Sequence, residues 1–470
     1  MRGVLQIAAG FLITAAAVPL LPRTANGQTV RPGNPDLLTC SQAPCIFRPT
    51  QVSEGGYLVN DAPIVVNPLN HKQILVGSND FNCPFPSLLG FHLSHDGGST
   101  WNVKCLDTMT VNFDVYWPSG PDPLVGYDTN GVAYIAGDYA NSENAFTGFV
   151  GFEKSEDGIT WSQPAIALFV PPQGGISEAA DSWLAIDTNL QSPYRNNIYV
   201  SAVVFGAQYS EVVVSHSSDS GAHWKVVRVA PQQLFPSEDS YTSMNVGKDG
   251  TVFLTWMYCN YGNGGCKDDK GYMLFSKSSD GGTTWTAPVV MTVVTLNGEG
   301  LPNADVGVDN YPAIAVDNSS GQHTGNLYVS MYSWTGAQLR VGVIRSNDGG
   351  KTWSKPVPVA PAAQTHDQFF PWITVSSTGL VGVSWLDRRN DPANVDYQAF
   401  AAISRDGGKS FGTNVQLTTA FSNPNVNGYE SGWMGNRTGN TWAGSNFLAA
   451  WMDSSNGVDM QDVVGGIRVK

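Results

Sequence analysis

The sequence predicts an all-β chain folded as a seven-bladed β-propeller, with six blades as the nearest alternative. Three observations lead there. An octapeptide of the form Ser-x-Asp-x-Gly-x-x-Trp occupies residues 94–101, 217–224, 278–285 and 346–353. Residues 404–411 repeat it with Phe411 in place of Trp, and residues 155–161 carry it one residue short. The copies start at 94, 155, 217, 278, 346 and 404, giving intervals of 61, 62, 61, 68 and 58. A period near sixty residues marks one supersecondary unit repeated many times. Second, acids at Asp61, Asp122, Asp181, Asp239, Asp309, Asp367 and Glu430 recur at intervals of 61, 59, 58, 70, 58 and 63. Third, each period holds short apolar, β-branched runs separated by turn residues, the pattern of four strands.

The octapeptide reads as a tight turn. Paired glycines permit positive φ, the aspartate can bond backbone amides two residues on, and the tryptophan offers an apolar plug. It joins the third and fourth strands of a unit, so all six copies fall on one face. Turn chemistry repeated on six blades cannot converge on one substrate, so the octapeptides are assigned a structural role.

The units follow in order. Residues 28–56 are Pro-rich and irregular, and the repeat occupies residues 57–470. The first unit contains PIVVN and ILVG, the second DPLVGYDTNGVAYIAGDY, the third DSWLAID and NIYVSAVVF. The fourth contains TVFLTWMY, the fifth DNYPAIAVD and NLYVSMYSW, the sixth DQFFPWITV and GLVGVSWLDRR. The seventh has NFLAAWMD and VVGGIRVK but no octapeptide and no fourth strand. A strand within residues 45–53 is expected to supply the missing one and close the ring, because closure removes open sheet edges.

Composition bounds the function. Charged residues are 14%, net charge is −14 and no basic run occurs, which argues against nucleic acid as a partner. Arg2 followed by a short apolar stretch and a small-residue site at residues 25–27 reads as a secretory signal over residues 1–27, and no later stretch is apolar enough to span a membrane. The expected location is therefore secreted or extracytoplasmic, as a monomer. Six cysteines fall into neighbours, Cys40 with Cys45, Cys83 with Cys105 and Cys259 with Cys266, and are read as disulfides. No cofactor motif is present; calcium between the recurring acids is the one ion considered.

The octapeptide resembles the Asp-box, or BNR repeat, of sialidase-like propellers, and the stretches DQFFPWITVSSTGLVGVSWLDRRNDP and SRDGGKSF are similar to exported bacterial members of that group. The resemblance implies a β-propeller and leaves the activity open among sialidases, other glycosidases, lyases and binding domains. For a true sialidase it implies three arginines, a Phe/Tyr-Arg-Ile-Pro motif, an aspartic acid/base and a tyrosine nucleophile with a glutamate partner. Here residues 47–49 (FRP) lack the isoleucine, Arg388, Arg389 and Arg437 are the other well-placed arginines, and Tyr429-Glu430 is the conceivable nucleophile pair.

The candidate site lies on the face opposite the octapeptides. The recurring acids precede the innermost strands and are expected to ring the mouth of the central channel. Aromatics follow several of them: Trp183, Tyr241, Tyr311, Phe369 and Trp433. Carboxylates bond sugar hydroxyls and rings stack on sugar C–H faces, so the expected partner is an extracellular glycan. A glycoside hydrolase needs two carboxyls about 5 to 10 Å apart. The sixth blade is richest in candidates, with Asp367, Asp387 and His366 as catalytic groups together with Glu430 of the seventh. Arg388, Arg389, Asp181, Trp183, Asp239, Tyr241, Asp309, Tyr311, Phe369 and Trp433 are the substrate-binding candidates. The alternative is a non-catalytic propeller that binds carbohydrate or protein.

Overall fold

The computed structural model describes residues 45–53, 55–120, 122–141, 148–171, 177–262, 265–298, 300–426 and 433–469. The signal and Pro-rich stretch up to residue 44, Cys40, Tyr429 and Glu430 fall outside them. Seven antiparallel sheets form, one per predicted unit, and they make a seven-bladed propeller. The six-bladed alternative is thereby excluded.

Each blade runs from the channel outward. In the third, the order is Glu178–Ile186, Ile198–Phe205, Tyr209–Ser217 and Lys225–Arg228. Second strands are buried on both faces, as in Ile198–Phe205 and Asn446–Asp453, which explains their continuous apolar runs. Outer strands are short and partly exposed, as in Val357–Pro358 and Val415–Gln416. Trp256, Trp385 and Trp451 are among the largest fully buried side chains, all on second strands. Blade two carries an addition the repeat did not reveal, a hairpin of Met109–Val111 and Asp114–Pro118 that extends its sheet.

The seventh blade takes three strands from the C-terminal part, Gly439–Ala443, Asn446–Asp453 and Gln461–Arg468. Its fourth is Cys45–Gln51, antiparallel to the last, with Cys45 opposite Arg468. The expected closing strand is therefore present. Cys83–Cys105 and Cys259–Cys266 are disulfides.

The octapeptides are built as turns. In each, the serine hydroxyl donates to the aspartate and accepts an amide. In the fourth blade Ser278 Oγ lies 2.8 Å from Asp280 Oδ1 and 2.9 Å from Gly282 N. Asp280 also takes the Thr284 amide and hydroxyl, at 2.9 and 2.6 Å. Gly281 and Gly282 have φ of 70° and 88°, which other residues rarely adopt. These bonds hold the carboxyls below the ordinary aspartate range, to about 2 at Asp157 and Asp406.

Candidate functional site at the channel mouth

The site is set by backbone register. In the third blade Ala180 opposes Val203 and Trp183 opposes Ser201, leaving Asp181 and Ser182 against one residue. This is a β-bulge, and Asp181 has φ of 52°. Similar bulges occur at Tyr241 (φ 62°) and Phe370 (φ 46°), and Asp61 (φ 65°) occupies the corresponding place in the first blade. Counting from the serine that ends each third strand puts Asp122 and Tyr311 at the same position in blades two and five. Aligning Trp451 and Asp453 with Trp385 and Asp387 puts Arg437 there in blade seven.

The mouth is thus lined, one residue per blade, by Asp61, Asp122, Asp181, Tyr241, Tyr311, Phe370 and Arg437. Side chains from non-adjacent blades meet across it. Tyr311 Oη lies 3.4 Å from Asp122 Oδ1 and 3.5 Å from Asp181 Oδ1. Arg437 Nη1 is 3.2 Å from Asp122 Oδ1, and the guanidinium also donates to the carbonyls of Ser182 and Pro123, each at 3.2 Å. Its carbon stands 5.3 Å from the ring centroids of both Trp183 and Tyr311. Asp61 accepts the amides of Asn436 and Arg437 and the side chain of Asn79. Trp183 of blade three packs across the channel on Trp372 of blade six, centroids 4.8 Å apart.

Of these residues and their neighbours, Asp181, Trp183, Tyr241 and Asp309 are partly exposed. Asp181, Tyr241 and Asp309 form a connected set. The Tyr241 amide donates to Asp181 Oδ2 at 3.0 Å, and its hydroxyl donates to Asp309 Oδ1 at 2.7 Å. Tyr241 and Tyr311 rings are 4.9 Å apart. Protein surrounds these carboxyls on most sides, and desolvation disfavours their charged form. Burial pushes Asp309 up to about 6 against the pull of the Tyr241 hydroxyl. Burial, and next the Asp122 charge, holds Asp181 well above the usual carboxylate range. Burial raises Asp61 to about 7 although Arg437 and two amides oppose it.

The recurring acids are therefore not one equivalent ring. Asp239 and Asp309 stand two residues before the bulge position, and Asp367 stands three before it. Asp309 still reaches the mouth through Tyr241. Asp239 is buried in its blade under the Trp256 indole, which donates at 2.9 Å, and burial raises it to about 7.

The sixth-blade candidates point inward. Asp367 is 0% exposed and accepts Leu339 N at 2.7 Å, Asn394 Nδ2 at 2.7 Å and Arg388 Nη1 at 3.4 Å. Asp387 is 1% exposed and accepts Arg389 N at 2.9 Å, Trp385 Nε1 at 2.7 Å and the Arg389 guanidinium. Asp367 is filled by its own blade and by blade five, and Asp387 by its own blade, which leaves neither facing the mouth. Arg388 is fully buried beside Phe369, and Arg389 lies over Phe400. His366 contacts its neighbour Thr365 at 3.4 Å rather than a carboxylate. Trp433 donates to Asn436 Oδ1 at 2.8 Å beside the ring. Arg48 is exposed on the outermost strand of the closing blade, so the FRP stretch does not line the mouth. A groove of about 560 Å³ opens at the outer edge between blades five and six, bordered by Pro361, Arg389, Phe411 and Asn414. It holds none of the mouth carboxyls.

Sequence reasoning placed Asp61 and Asp122 in the ring at the mouth and Arg437 among possible arginines, but missed the central position of Arg437 and missed Phe370 as its equivalent. Counting backward from the last residue of each third strand, rather than from acid to acid, would have aligned most of them. Among the described residues no group of three or more His, Cys, Asp or Glu side chains forms a metal site, and no helix is long and apolar enough to cross a membrane.

No family model matches the chain, and no curated protein matches it. Solved structures do. A polysaccharide lyase of family PL25, an ulvan lyase bound to -[GlcA(1-4)Rha3S]-, is 14% identical, with a TM-score of 0.51 over 88% of this chain and 95% of that one. The Hadza microbial sialidase Hz136 is 13% identical with a TM-score of 0.46, covering 92% and 98%. The Penicillium chrysogenum alpha-L-arabinanase complexed with arabinobiose is 14% identical with a TM-score of 0.48, covering 73% and 94%. What is shared is the fold.

Proposed function

We propose that this chain is an exported propeller that hydrolyses extracellular glycan at the channel mouth, with Asp181 and Asp309 as the working carboxyls. The observation carrying this reading is that pair itself. Both acids reach solvent, both are raised by desolvation, and Tyr241 joins them by one amide and one hydroxyl bond. A glycosidase needs one carboxyl that holds a proton for the leaving oxygen and a second that is ionised. Asp181, held well above the usual carboxylate range by burial, suits the proton donor. Asp309, near 6, is ionised at neutral pH and suits the base or nucleophile. Tyr241 supplies a ring for sugar C–H groups. Two disulfides fit an oxidising compartment, and the likeness to an ulvan lyase fits a polymeric carbohydrate.

The test is a hydrolysis screen over a glycan panel, followed by Asp181→Asn and Asp309→Asn. Each is expected to lower kcat by about 10²-fold or more while the fold survives. Folded Asp367→Asn or Asp387→Asn protein that loses turnover, while Asp181→Asn and Asp309→Asn keep it, would return the chemistry to the sixth blade. Glycan binding without turnover by the wild type would establish the binding reading.

A further inference from the structure

The hairpin of Met109–Val111 and Asp114–Pro118 is an addition that the repeat does not require, and its attachment fixes where it stands. Gly148–Ser155 occupies one edge of the second strand, Ala133–Ala140, over its whole length. The innermost strand, Leu124–Tyr127, pairs on the other edge, the one facing the channel. Trp117 and Pro118 pair on that same edge further along, opposite Ala140 and Tyr139. The hairpin therefore continues the line of an innermost strand at the mouth. The amides of Ser119 and Gly120 tie its base to the Asp138 carbonyl, at 3.0 and 3.3 Å. The Asp138 carboxyl in turn accepts the hydroxyl of Ser182, the neighbour of Asp181, at 2.8 Å.

Alternation along the hairpin sorts its side chains. Met109 and Tyr116 turn toward blade one, and Tyr116 packs on Phe149 with ring centroids 4.8 Å apart. Thr110, Val115 and Trp117 take the opposite face. Trp117 lies opposite Ala140, on the side that Asp138 presents to blade three. Asp181 is partly exposed on that side. Trp117 is also partly exposed, Val115 is 48% exposed, and Phe113 at the tip is 100% exposed. Asn112 and Phe113 form the turn with φ of 51° and 73°. Asparagine and glycine suit such a turn; phenylalanine does not. The Phe113 ring thus packs on nothing in the fold and sits on a backbone that disfavours it, so the fold supplies no reason for it.

A line of apolar side chains runs outward from the mouth over about 17 Å, at about 3.3 Å per residue. Three such side chains expose a few hundred Å², well short of the about 800 Å² per partner of a standard protein interface. A strip of that width, continuous with the mouth, suits the C–H faces of a sugar chain. The geometry points to a second glycan-binding site, a platform on which Trp117, Val115 and Phe113 hold the sugar units that lie beyond those at the mouth carboxyls. The ligand is then an oligosaccharide several units long. This inference rests on the glycan reading above and adds the length of its substrate.

The experiment measures, by calorimetry, binding of β-1,4-linked glucose, xylose and N-acetylglucosamine oligomers, each as disaccharide and hexasaccharide. In at least one set the hexasaccharide is expected to bind about tenfold or more tightly than the disaccharide. Phe113→Gly and Trp117→Ala should each cut that ratio by about fivefold to tenfold, the worth of one aromatic contact. Phe113→Gly removes no packing and relieves the turn, so its thermal midpoint should equal or exceed that of the wild type. Leu190→Ser, at a residue 73% exposed in the loop between the first two strands of blade three, on the octapeptide face, should leave the ratio unchanged. A ratio as high in Phe113→Gly as in the wild type, or disaccharides bound as tightly as hexasaccharides by the wild type, overturns the platform and leaves the glycan reading standing. A wild-type dimer on a sizing column that Phe113→Gly abolishes also overturns it, by assigning the hairpin to a second copy of the chain. Absence of wild-type binding to every set overturns both.

Discussion

Replacing Arg437 with methionine tests whether the mouth is an electrostatic keystone. The side chain is 1% exposed and links blade seven to the Asp122 carboxylate and Pro123 carbonyl of blade two and to the Ser182 carbonyl of blade three. Methionine keeps the stem against Trp183 and Tyr311 but removes the charge. Removing one partner of a buried ion pair costs about 3–5 kcal/mol, because the other charge is left uncompensated. The pH dependence sharpens the expectation. Asp61 titrates near 7 in the folded chain, above its unfolded value of 3.8, so its ionisation opposes folding as pH rises between those values. Arg437 pulls that folded value down. Without it the penalty continues to grow above pH 7, where in the wild type it has levelled off. Urea unfolding at pH 5 and pH 8.5 should show a larger deficit at the higher pH. Adding Asp122→Asn should recover about 1–3 kcal/mol through coupling. A deficit below about 1 kcal/mol, or one equal at both pH values, would refute the keystone argument.

Other expectations follow from the same geometry. Wild-type stability should fall between pH 4 and pH 7, since Asp61, Glu238 and Asp239 are all raised to about 7 by burial, and a flat profile would contradict that. Ser278→Ala removes the hydroxyl bonds to Asp280 and Gly282 and should cost about 1–2 kcal/mol in thermal or urea unfolding. Cys83→Ser with Cys105→Ser opens a link of sequence separation 22 and should cost about 3 kcal/mol, matched by reductant on the wild type. Chain lacking residues 45–51 exposes the edge of Gln461–Arg468 and should oligomerise on a sizing column, where wild type serves as the control.

How much of this was legible in the residues divides along a physical line. The octapeptide is a local turn whose chemistry sits within eight residues, so its period counted the blades and marked the ends of their third strands. The closing strand was legible because blade seven lacked one. The mouth was only half legible. A bulge is a mismatch in register between strands, and no composition signal records it. Phe370 and Arg437 share a backbone position with Asp61 and Asp181 yet not their chemistry, so spacing between acids passed over both, while Tyr241 and Tyr311 were legible only as neighbours of acids. Asp367 and Asp387 looked exposed because they adjoin loops. Their filling depends on Leu339 of blade five, on Asn394 in a loop and on Trp385 two residues before Asp387.

The pairing of Cys45 with Arg468 joins positions 423 residues apart. Closing so long a loop costs on the order of 5 kcal/mol in chain entropy by (3/2)RT ln n. Six blades can gather as the chain is made, but the seventh has no outer strand until residues 45–51 and 461–468 are both in hand. A chain stopped before Gln461 would leave Cys45–Gln51 without the strand it pairs with.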